Sequence, residues 1–213
     1  DINKALEAVG IEPKFKDGLR VTDEPTMEIV QQVLAGKINK NLTTELCMHG
    51  INAVGICGKD AGFMQVKKAM PKGMDIGLVG EVTEVKTGLI NTLIDNDFVP
   101  VISSIGVDDE GKSYNVNADY AAVAVAGALK AEKLVFVTDV AGIMRDVNDP
   151  DSVISTIKVD EVNSLIEDGT ISGGMLPKVE CCMAGVKAGV NNVHILDGRI
   201  AHCLILEIFT KKG

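Results

Sequence analysis

The 213-residue sequence has no long hydrophobic run. Its longest apolar stretches, residues 121–129 and 200–209, are about half as long as a membrane-spanning helix requires. The basic and apolar regions of a signal peptide are also absent from the first residues. The sequence therefore predicts a cytoplasmic protein without a membrane partner.

Paired cysteines and metal-ligand spacings are lacking as well. The five cysteines form an odd set without a C-x-x-C pair, which favours reduced thiols in a cytosol over a disulfide framework. The three histidines show no spacing typical of metal ligands. We therefore predict neither a zinc site nor any other dedicated metal site.

Basic charge is scarce, with 21 Lys and Arg residues against 30 Asp and Glu and a net charge of −9. Nucleic acids and anionic membranes require a basic face, so the charge balance argues against both as partners. Small phosphorylated ligands remain possible, because acidic proteins bind phosphate where backbone amides and a few cations converge.

Helical and strand patterns alternate along the chain. Helical periodicity predicts helices at residues 1–9, 23–48, 88–96, 119–129, 159–167 and 178–188. Short apolar segments predict buried strands at 53–56, 99–103, 134–138 and 192–196, and exposed or hairpin strands at 63–67 and 76–85. This order predicts an α/β fold, a three-layer αβα sandwich with a mainly parallel central sheet, in a single domain. The hairpin near residues 60–85 could serve as a lid.

Polar residues lead into the predicted helix at 119–129. Asn115, Asn117 and Asp119 stand in an N-V-N-A-D segment before a helix of Ala and Val that has the composition of a buried helix. A polar loop with an N-cap explains this segment equally simply, since Asn and Asp favour such positions. A ligand site at the start of a buried helix is the alternative.

Two further segments follow predicted strands, where open α/β sheets bind ligands. In T-D-V-A-G-I (138–143), Thr and Asp can accept hydrogen bonds from a nucleoside, and a strand-to-turn junction is the alternative. In G-T-I-S-G-G-M-L-P-K (169–178), two glycines and a lysine could hold phosphates, and a flexible loop with a solvated lysine is the alternative. The second segment does not have the P-loop pattern.

Arg20 lies between a predicted loop and an acidic helix start. Its guanidinium can pair with a ligand carboxylate through two hydrogen bonds. A structural salt bridge with Asp23 or Glu24 is the alternative interpretation.

Six segments in this order resemble the acetylglutamate kinases of the amino-acid kinase family. They are G-L-R-V-T-D (18–23), G-K-D (58–60), G-x-V-G-E-V (77–82), N-V-N-A-D (115–119), T-D-V-A-G-I (138–143) and G-G-M-x-P-K (173–178). The resemblance covers essentially the whole chain. It implies ATP-dependent phosphorylation of the side-chain carboxylate of N-acetyl-L-glutamate in arginine biosynthesis, with Mg²⁺. Another kinase of the family, acting on carbamate, glutamate or a nucleotide monophosphate, and a catalytically silent arginine-sensing module are the alternatives.

The resemblance also implies a role for each site residue. Arg20, Asn115 and Asn117 would bind N-acetyl-L-glutamate, Asp119 would organise the catalytic lysines, and Lys178 would neutralise charge on the transferred phosphoryl group. The residues that would contact ATP are Thr138, Asp139, Val140, Gly142, Ile143, Met144, Gly173, Gly174 and Met175. Residues 1–115 would form the acceptor lobe and residues 116–213 the nucleotide lobe.

The resemblance implies two further expectations. Family members have a strand with a catalytic lysine and a glycine-rich loop before the segment that matches residue 1, so we expect the polypeptide alone to be inactive or poorly folded. Residues 202–210 resemble the tail of arginine-inhibited members, in which His202 and Glu207 would bind L-arginine. An apolar core segment with one exposed glutamate is the alternative. The resemblance also implies a homo-oligomer, either a dimer or a hexamer.

Overall fold

A computed structural model describes residues 1–140, 142–146, 149 and 152–209. It divides into two compact units, residues 1–128 and 129–213. The helices of the first unit are α1 (Ile2–Ala8), α2 (Glu24–Gln31), α3 (Asn39–Met48), α4 (Gly88–Asp95) and α5 (Ala118–Ala128). Its strands are β1 (Phe15–Lys16), β2 (Leu19–Arg20), β3 (Ala53–Cys57), β4 (Met64–Lys68), β5 (Val79–Val85), β6 (Val99–Ser103), β7 (Ile105–Val107) and β8 (Ser113–Val116).

The long helix predicted at residues 23–48 is confirmed. The Asp23 side chain caps α2 by accepting a hydrogen bond from the Thr26 backbone N–H at 2.9 Å, and Pro25 stands in the first turn. A π-helical segment, Gln32–Ile38, joins α2 to α3, and the residues at both junctions keep right-handed helical dihedrals. The helix is therefore continuous from residue 24 to residue 48.

A tight hairpin stands where the sequence predicted a loop next to Arg20. Strands β1 and β2 pair antiparallel, with Phe15 opposite Arg20. Asp17 and Gly18 between them both have positive φ, 49° and 78°. A two-residue type I′ turn requires positive φ at both positions, and Asp-Gly is one of its preferred sequences.

Parallel strands and a small barrel form the rest of the first unit. Strands β3 and β6 pair parallel, from Ala53 opposite Val99 to Cys57 opposite Ser103, and α3 packs against both. Strands β4, β5, β8 and β7 form a closed barrel in that order. The predicted β4–β5 hairpin is confirmed, and the barrel buries some of its side chains, such as Val66 and Val79.

The segment from residue 114 to the start of α5 is a strand for most of its length rather than the predicted loop. Its side chains alternate, with Tyr114 and Val116 buried and Ser113 and Asn115 half-buried. The alternation covers only four residues, which is too short to stand out in the sequence. Asn115 therefore projects from a barrel strand.

The second unit has the predicted alternation of strands and helices. Its elements are β9 (Lys133–Thr138), α6 (Val162–Glu167), α7 (Met175–Lys187), β10 (Asn192–Asp197) and α8 (Cys203–Phe209). Strands β9 and β10 pair parallel. Helix α7 begins three residues before the prediction, because Pro177 is tolerated in a first turn.

The parallel strand pairs and their helices confirm the predicted α/β class. The boundary between the two units lies at residues 128 and 129. The assignment of an acceptor lobe and a nucleotide lobe stays a prediction. Within the described residues, no helix has the length and apolar character needed to cross a bilayer.

Gly77 lies very close to the backbone of Thr22, two residues after Arg20. It forms a parallel bridge with Thr22, and it has φ of +82°. A Cβ atom at residue 77 would stand 2.1 Å from the Thr22 carbonyl oxygen, a backbone atom that cannot rotate away. Gly73 has a similar φ of +76°, yet a Cβ there would meet nothing within 4 Å.

We predict that Gly77→Ala destabilises the protein far more than Gly73→Ala. Both substitutions force alanine into the left-handed region, at about 1–2 kcal/mol. Only Gly77→Ala adds a backbone clash, which we expect to raise the cost by about 2 kcal/mol or more. Urea unfolding of the two variants measures the difference in their free energies of unfolding. Equal urea midpoints would show that the Thr22 backbone does not clash with a side chain on residue 77.

We also predict that Asp23 stabilises α2 through its carboxylate. Asp23→Ala removes the cap and should cost about 1 kcal/mol, whereas Asp23→Asn keeps a cap oxygen and should cost less. Hydrogen bonds from Thr26 lower the pKa of Asp23. The stability that the charged Asp23 carboxylate contributes is therefore fully present above the pKa of an unfolded aspartate, about 3.9. It is lost as pH falls through the lower pKa that Asp23 has in the folded protein.

The free energy of unfolding of wild type and of Asp23→Asn, measured as a function of pH, checks the direction of this pH dependence. The two stabilities should converge as pH falls below that window. A difference that is constant from neutral to acidic pH would contradict a role for the charge.

Candidate active site

The Arg20 guanidinium makes two contacts, which leave part of it without a partner among the described residues. Its Nη2 donates to Asn3 Oδ1 at 2.8 Å, and its Cζ lies 4.6 Å from the centre of the Phe15 ring. Its Nη1 is buried and has no hydrogen-bond partner among the described residues. Burial lowers the pKa of Arg20. No ion pair joins it to Asp23 or Glu24 within the described residues, because Asp23 caps α2 and Glu24 pairs with Lys112.

Thr22 connects Arg20 to Asn115. The Thr22 side chain is fully buried, and its Oγ1 donates to the Arg20 carbonyl oxygen at 2.9 Å. The same Oγ1 accepts from Asn115 Nδ2 at 3.4 Å. The Thr22 hydroxyl therefore bonds both the backbone of Arg20 and the side chain of Asn115, the two predicted acceptor residues.

Asn117 and Asp119 lie at the start of α5. The Asn117 Oδ1 accepts from the backbone N–H of Asp119 at 3.0 Å and from that of Tyr120 at 3.3 Å, which makes Asn117 an N-cap. This is the structural alternative that the sequence left open. Asp119 is half-buried in the first turn. The substrate role of Asn117 and the lysine-organising role of Asp119 stay predictions.

The T-D-V-A-G-I segment begins at the carboxyl end of β9, as predicted. Thr138 Oγ1 donates to Asp139 Oδ1 at 3.3 Å, and the Asp139 side chain is exposed. Gly142 has φ of +131°. Met144 forms an antiparallel bridge to Val153. Val140 and Ile143 are half-buried, and residue 141 lies outside the described residues.

The glycine-rich segment leads into α7. Gly173 has φ of +54°, Gly174 is the N-cap, and a Cβ at either position would meet nothing within 4 Å. A ligand phosphate could therefore approach the backbone there. Met175 is the first residue of α7, and Lys178 is half-buried in its first turn.

A cavity of about 340 Å³ lies within the second unit. Its lining is largely apolar and includes Gly142, Ile143, His194 and Glu207. The other predicted ATP-contacting residues and His202 do not line it. The Glu207 carboxylate lies 2.5 Å from His194 Nδ1 and is thus held by a residue that sequence reasoning did not select.

His202 and Glu207 are not equivalent in their exposure. His202 is exposed and has φ of +62°. Glu207 lies in α8, with 13% of its side chain exposed. Residue 210 of the predicted effector segment lies outside the described residues. Binding of L-arginine by these two residues stays a prediction.

No cluster of three or more His, Cys, Asp or Glu side chains suited to a metal ion occurs within the described residues. Mg²⁺ is commonly held by nucleotide phosphates and water with only one or two protein ligands. Its binding here stays a prediction.

The sequence reasoning missed the partners that shape the Arg20 site. The contact between Phe15 and Arg20 could have been predicted from the sequence. Asp17-Gly18 between two short strands indicates a hairpin, which places residues 15 and 20 opposite each other. The contact of Asn3 with Arg20 and that of Thr22 with Asn115 gave no signal, because each joins segments separated in sequence.

Comparisons with known proteins agree along the whole chain. The amino acid kinase family model matches residues 2–197. An acetylglutamate kinase from Heliobacterium modesticaldum is 50% identical over 222 residues, covering 100% of this chain and 75% of that protein. The acetylglutamate kinase of Methanothermobacter thermautotrophicus is 48% identical over 224 residues, covering 100% and 76%.

A solved structure has a similar fold. It is the N-acetylglutamate synthase of Neisseria gonorrhoeae in complex with coenzyme A and N-acetyl-glutamate, with a TM-score of 0.82 and 28% identity over 99% of this chain and 47% of that chain. Because the family model and the relatives match nearly all of its residues, this chain belongs to the amino acid kinase family, in the group of the acetylglutamate kinases.

Proposed function

We propose that this chain transfers a phosphoryl group from ATP to the side-chain carboxylate of N-acetyl-L-glutamate, as a step of arginine biosynthesis in the cytoplasm. The observation that carries the proposal is Arg20, whose Nη1 is buried and has no partner within the described residues. A buried N–H of a cation without an acceptor is costly, and a ligand carboxylate removes that cost with a charge-assisted hydrogen bond.

Asn115 completes the acceptor side of the proposal. Its Nδ2 uses one N–H in the long bond to Thr22. The second N–H and the carbonyl oxygen of this amide would meet the carboxylate or acetamide of the substrate. An acid that also carries an amide matches the combination of a guanidinium and a carboxamide on one framework.

The reaction needs alignment and positive charge more than it needs a base. The acceptor carboxylate is ionised at neutral pH. Its oxygen forms a bond to the γ-phosphorus while the bond from that phosphorus to the bridging oxygen of ADP breaks. Lys178 would stabilise the charge on the transferred group, and Asp119 would orient lysine side chains without accepting a proton.

The nucleotide residues of the second unit fit a phosphate-bearing ligand. The backbone at Gly173 and Gly174 is open, and the first turn of α7 follows directly. When bound there, ATP would supply the phosphoryl group and its phosphates would carry Mg²⁺. Thr138 and Asp139 would serve the nucleoside, with Val140, Gly142, Ile143, Met144 and Met175 around it.

Two regulatory features belong to the proposal. The chain would form a homo-oligomer, and L-arginine would bind at His202 and Glu207. Glu207 already contacts His194 at 2.5 Å, so a guanidinium would share the carboxylate with that histidine.

We predict that Arg20→Ala, in the protein at its natural length, raises KM for N-acetyl-L-glutamate about 30-fold or more. Arg20→Lys should recover only part of the loss, since an ammonium lacks the planar fork of a guanidinium. KM for ATP should not change. Lys16→Ala is the matched control, because Lys16 is an exposed cation of the same hairpin.

Steady-state assays with N-acetyl-L-glutamate, glutamate, carbamate and uridylate provide the measurement. An unchanged acceptor KM would remove Arg20 from the site. Faster turnover of another acceptor would assign a different substrate, and L-arginine binding without any turnover would indicate a sensing module.

We predict that Lys178→Met lowers kcat about 100- to 1,000-fold with little change in KM for the acceptor, because the ammonium acts on charge in the transition state. Lys187→Met, in the last turn of the same helix, is the control and should retain kcat. Equal losses in both variants would contradict a specific role for Lys178.

A further inference from the structure

The carboxamide of Asn39 contacts two strands at once. Asn39 is the first residue of α3 and is only 3% exposed. Its Nδ2 donates to the Val101 carbonyl oxygen at 2.7 Å and to the Ile56 carbonyl oxygen at 3.4 Å. Val101 is the middle residue of β6, and Ile56 is the residue before the last of β3. One helix side chain therefore joins the two strands of the parallel pair.

The π-helical segment changes the direction of Asn39 around the helix axis relative to Gln31. Gln31, the last residue of α2, accepts from Ser113 Oγ of β8 at 2.9 Å. Residues 31 and 39 would differ by about 80° around the axis of a regular α-helix, which turns about 100° per residue. A π segment has more residues per turn and reduces this difference. It thus brings Gln31 and Asn39 towards one face of the helix.

Gly55 leaves the space that the contact requires. A Cβ atom on this residue of β3 would stand 2.0 Å from Asn39 Oδ1 and 2.9 Å from Lys40 Nζ. Lys40 Nζ donates to the Gly55 carbonyl oxygen at 2.6 Å. The side chains of Asn39 and Lys40 therefore occupy the space that a side chain on residue 55 would need.

The strand ends lead by hydrogen bonds to Asn115. Beyond β3, the Gly58 N–H donates to the Ile105 carbonyl oxygen at 2.8 Å. Beyond β6, the Ser104 carbonyl oxygen accepts from the Val116 N–H at 3.0 Å. Ile105 is the ladder partner of Asn115 between β7 and β8. Both strand ends are therefore bonded to the two strands that place Asn115.

We infer that Asn39 is a positioning residue, which fixes the carboxyl ends of β3 and β6 and through them the place of Asn115 in the acceptor site. The inference rests on the proposed function only for the substrate that Asn115 binds. The order that Asn39 imposes on the strand ends is a property of the fold alone.

A double-mutant cycle tests the effect on the acceptor site. Asn39→Ala should raise KM for N-acetyl-L-glutamate about 10-fold in the wild-type background, since small displacements of a binding group are costly. In the Asn115→Ala background the same change should raise KM less than about twofold, because the group it positions is gone. KM for ATP should stay constant in all four proteins.

Equal KM effects of Asn39→Ala in both backgrounds would overturn the inference, because a loss of stability alone acts independently of Asn115. Thr44→Val is the matched control. It removes a hydroxyl of the same helix that donates only to the Lys40 carbonyl oxygen, at 2.8 Å. Its KM values should equal those of the wild type.

Amide hydrogen exchange separates this inference from the proposed function. Asn39→Ala should accelerate exchange of the Gly58 and Val116 amides about 10-fold, relative to the Asn91 amide in α4. Unchanged exchange would overturn the inference even for an active kinase. Absence of turnover in the wild type at its natural length would overturn the proposed function, and the exchange result would still decide the inference. If Asn39→Ala does not fold, Asn39→Ser carries both measurements.

Discussion

Thr22 is the residue on which the acceptor side of the structure depends. Its backbone N–H donates to Ile76 O at 2.9 Å, and its carbonyl oxygen accepts from Leu78 N–H at 2.6 Å, so that it extends the chain beside Gly77. Its hydroxyl meets both Arg20 and Asn115. A residue with four such bonds cannot shift alone. The backbone of Arg20 and the carboxamide of Asn115 are therefore held by one buried junction, and the close approach of this junction to Gly77 requires that residue 77 has no side chain.

The parts of the fold that sequence predicted are those that local rules determine. Asp23 and Pro25 define the start of α2 through capping and a fixed φ, and both act within one helical turn. The strands of the parallel pairs are short apolar runs between helices, which periodicity detects. The barrel was not predicted, since β7 has three residues and the pairings of β4 with β7 and of β5 with β8 join segments far apart in sequence. Pairing over such distances has no signature in a single short segment.

In the candidate site, too, some features were predicted from sequence and others were not. Arg20, Asn115 and Lys178 were selected by residue type and order, which the family resemblance supplied. Their surroundings were not, because an Asn in a helical pattern such as Asn39 is indistinguishable in sequence from a solvated one. Asn117 shows that residue type alone is ambiguous, since an Asn that suits a ligand also suits an N-cap, and here its oxygen serves the cap.

Arg20 and Asn39 each have a buried polar atom without a partner in the described part of the chain, yet the two differ in kind. An unpaired buried group costs about 1–3 kcal/mol, and more when it is charged. At Asn39 the atom without a partner belongs to a neutral carboxamide, whose nitrogen makes two bonds to strand carbonyls. At Arg20 burial also lowers the pKa and thus disfavours the charged form, and an anion that binds the folded state offsets both effects. That difference is why we assign substrate binding to Arg20 and positioning to Asn39.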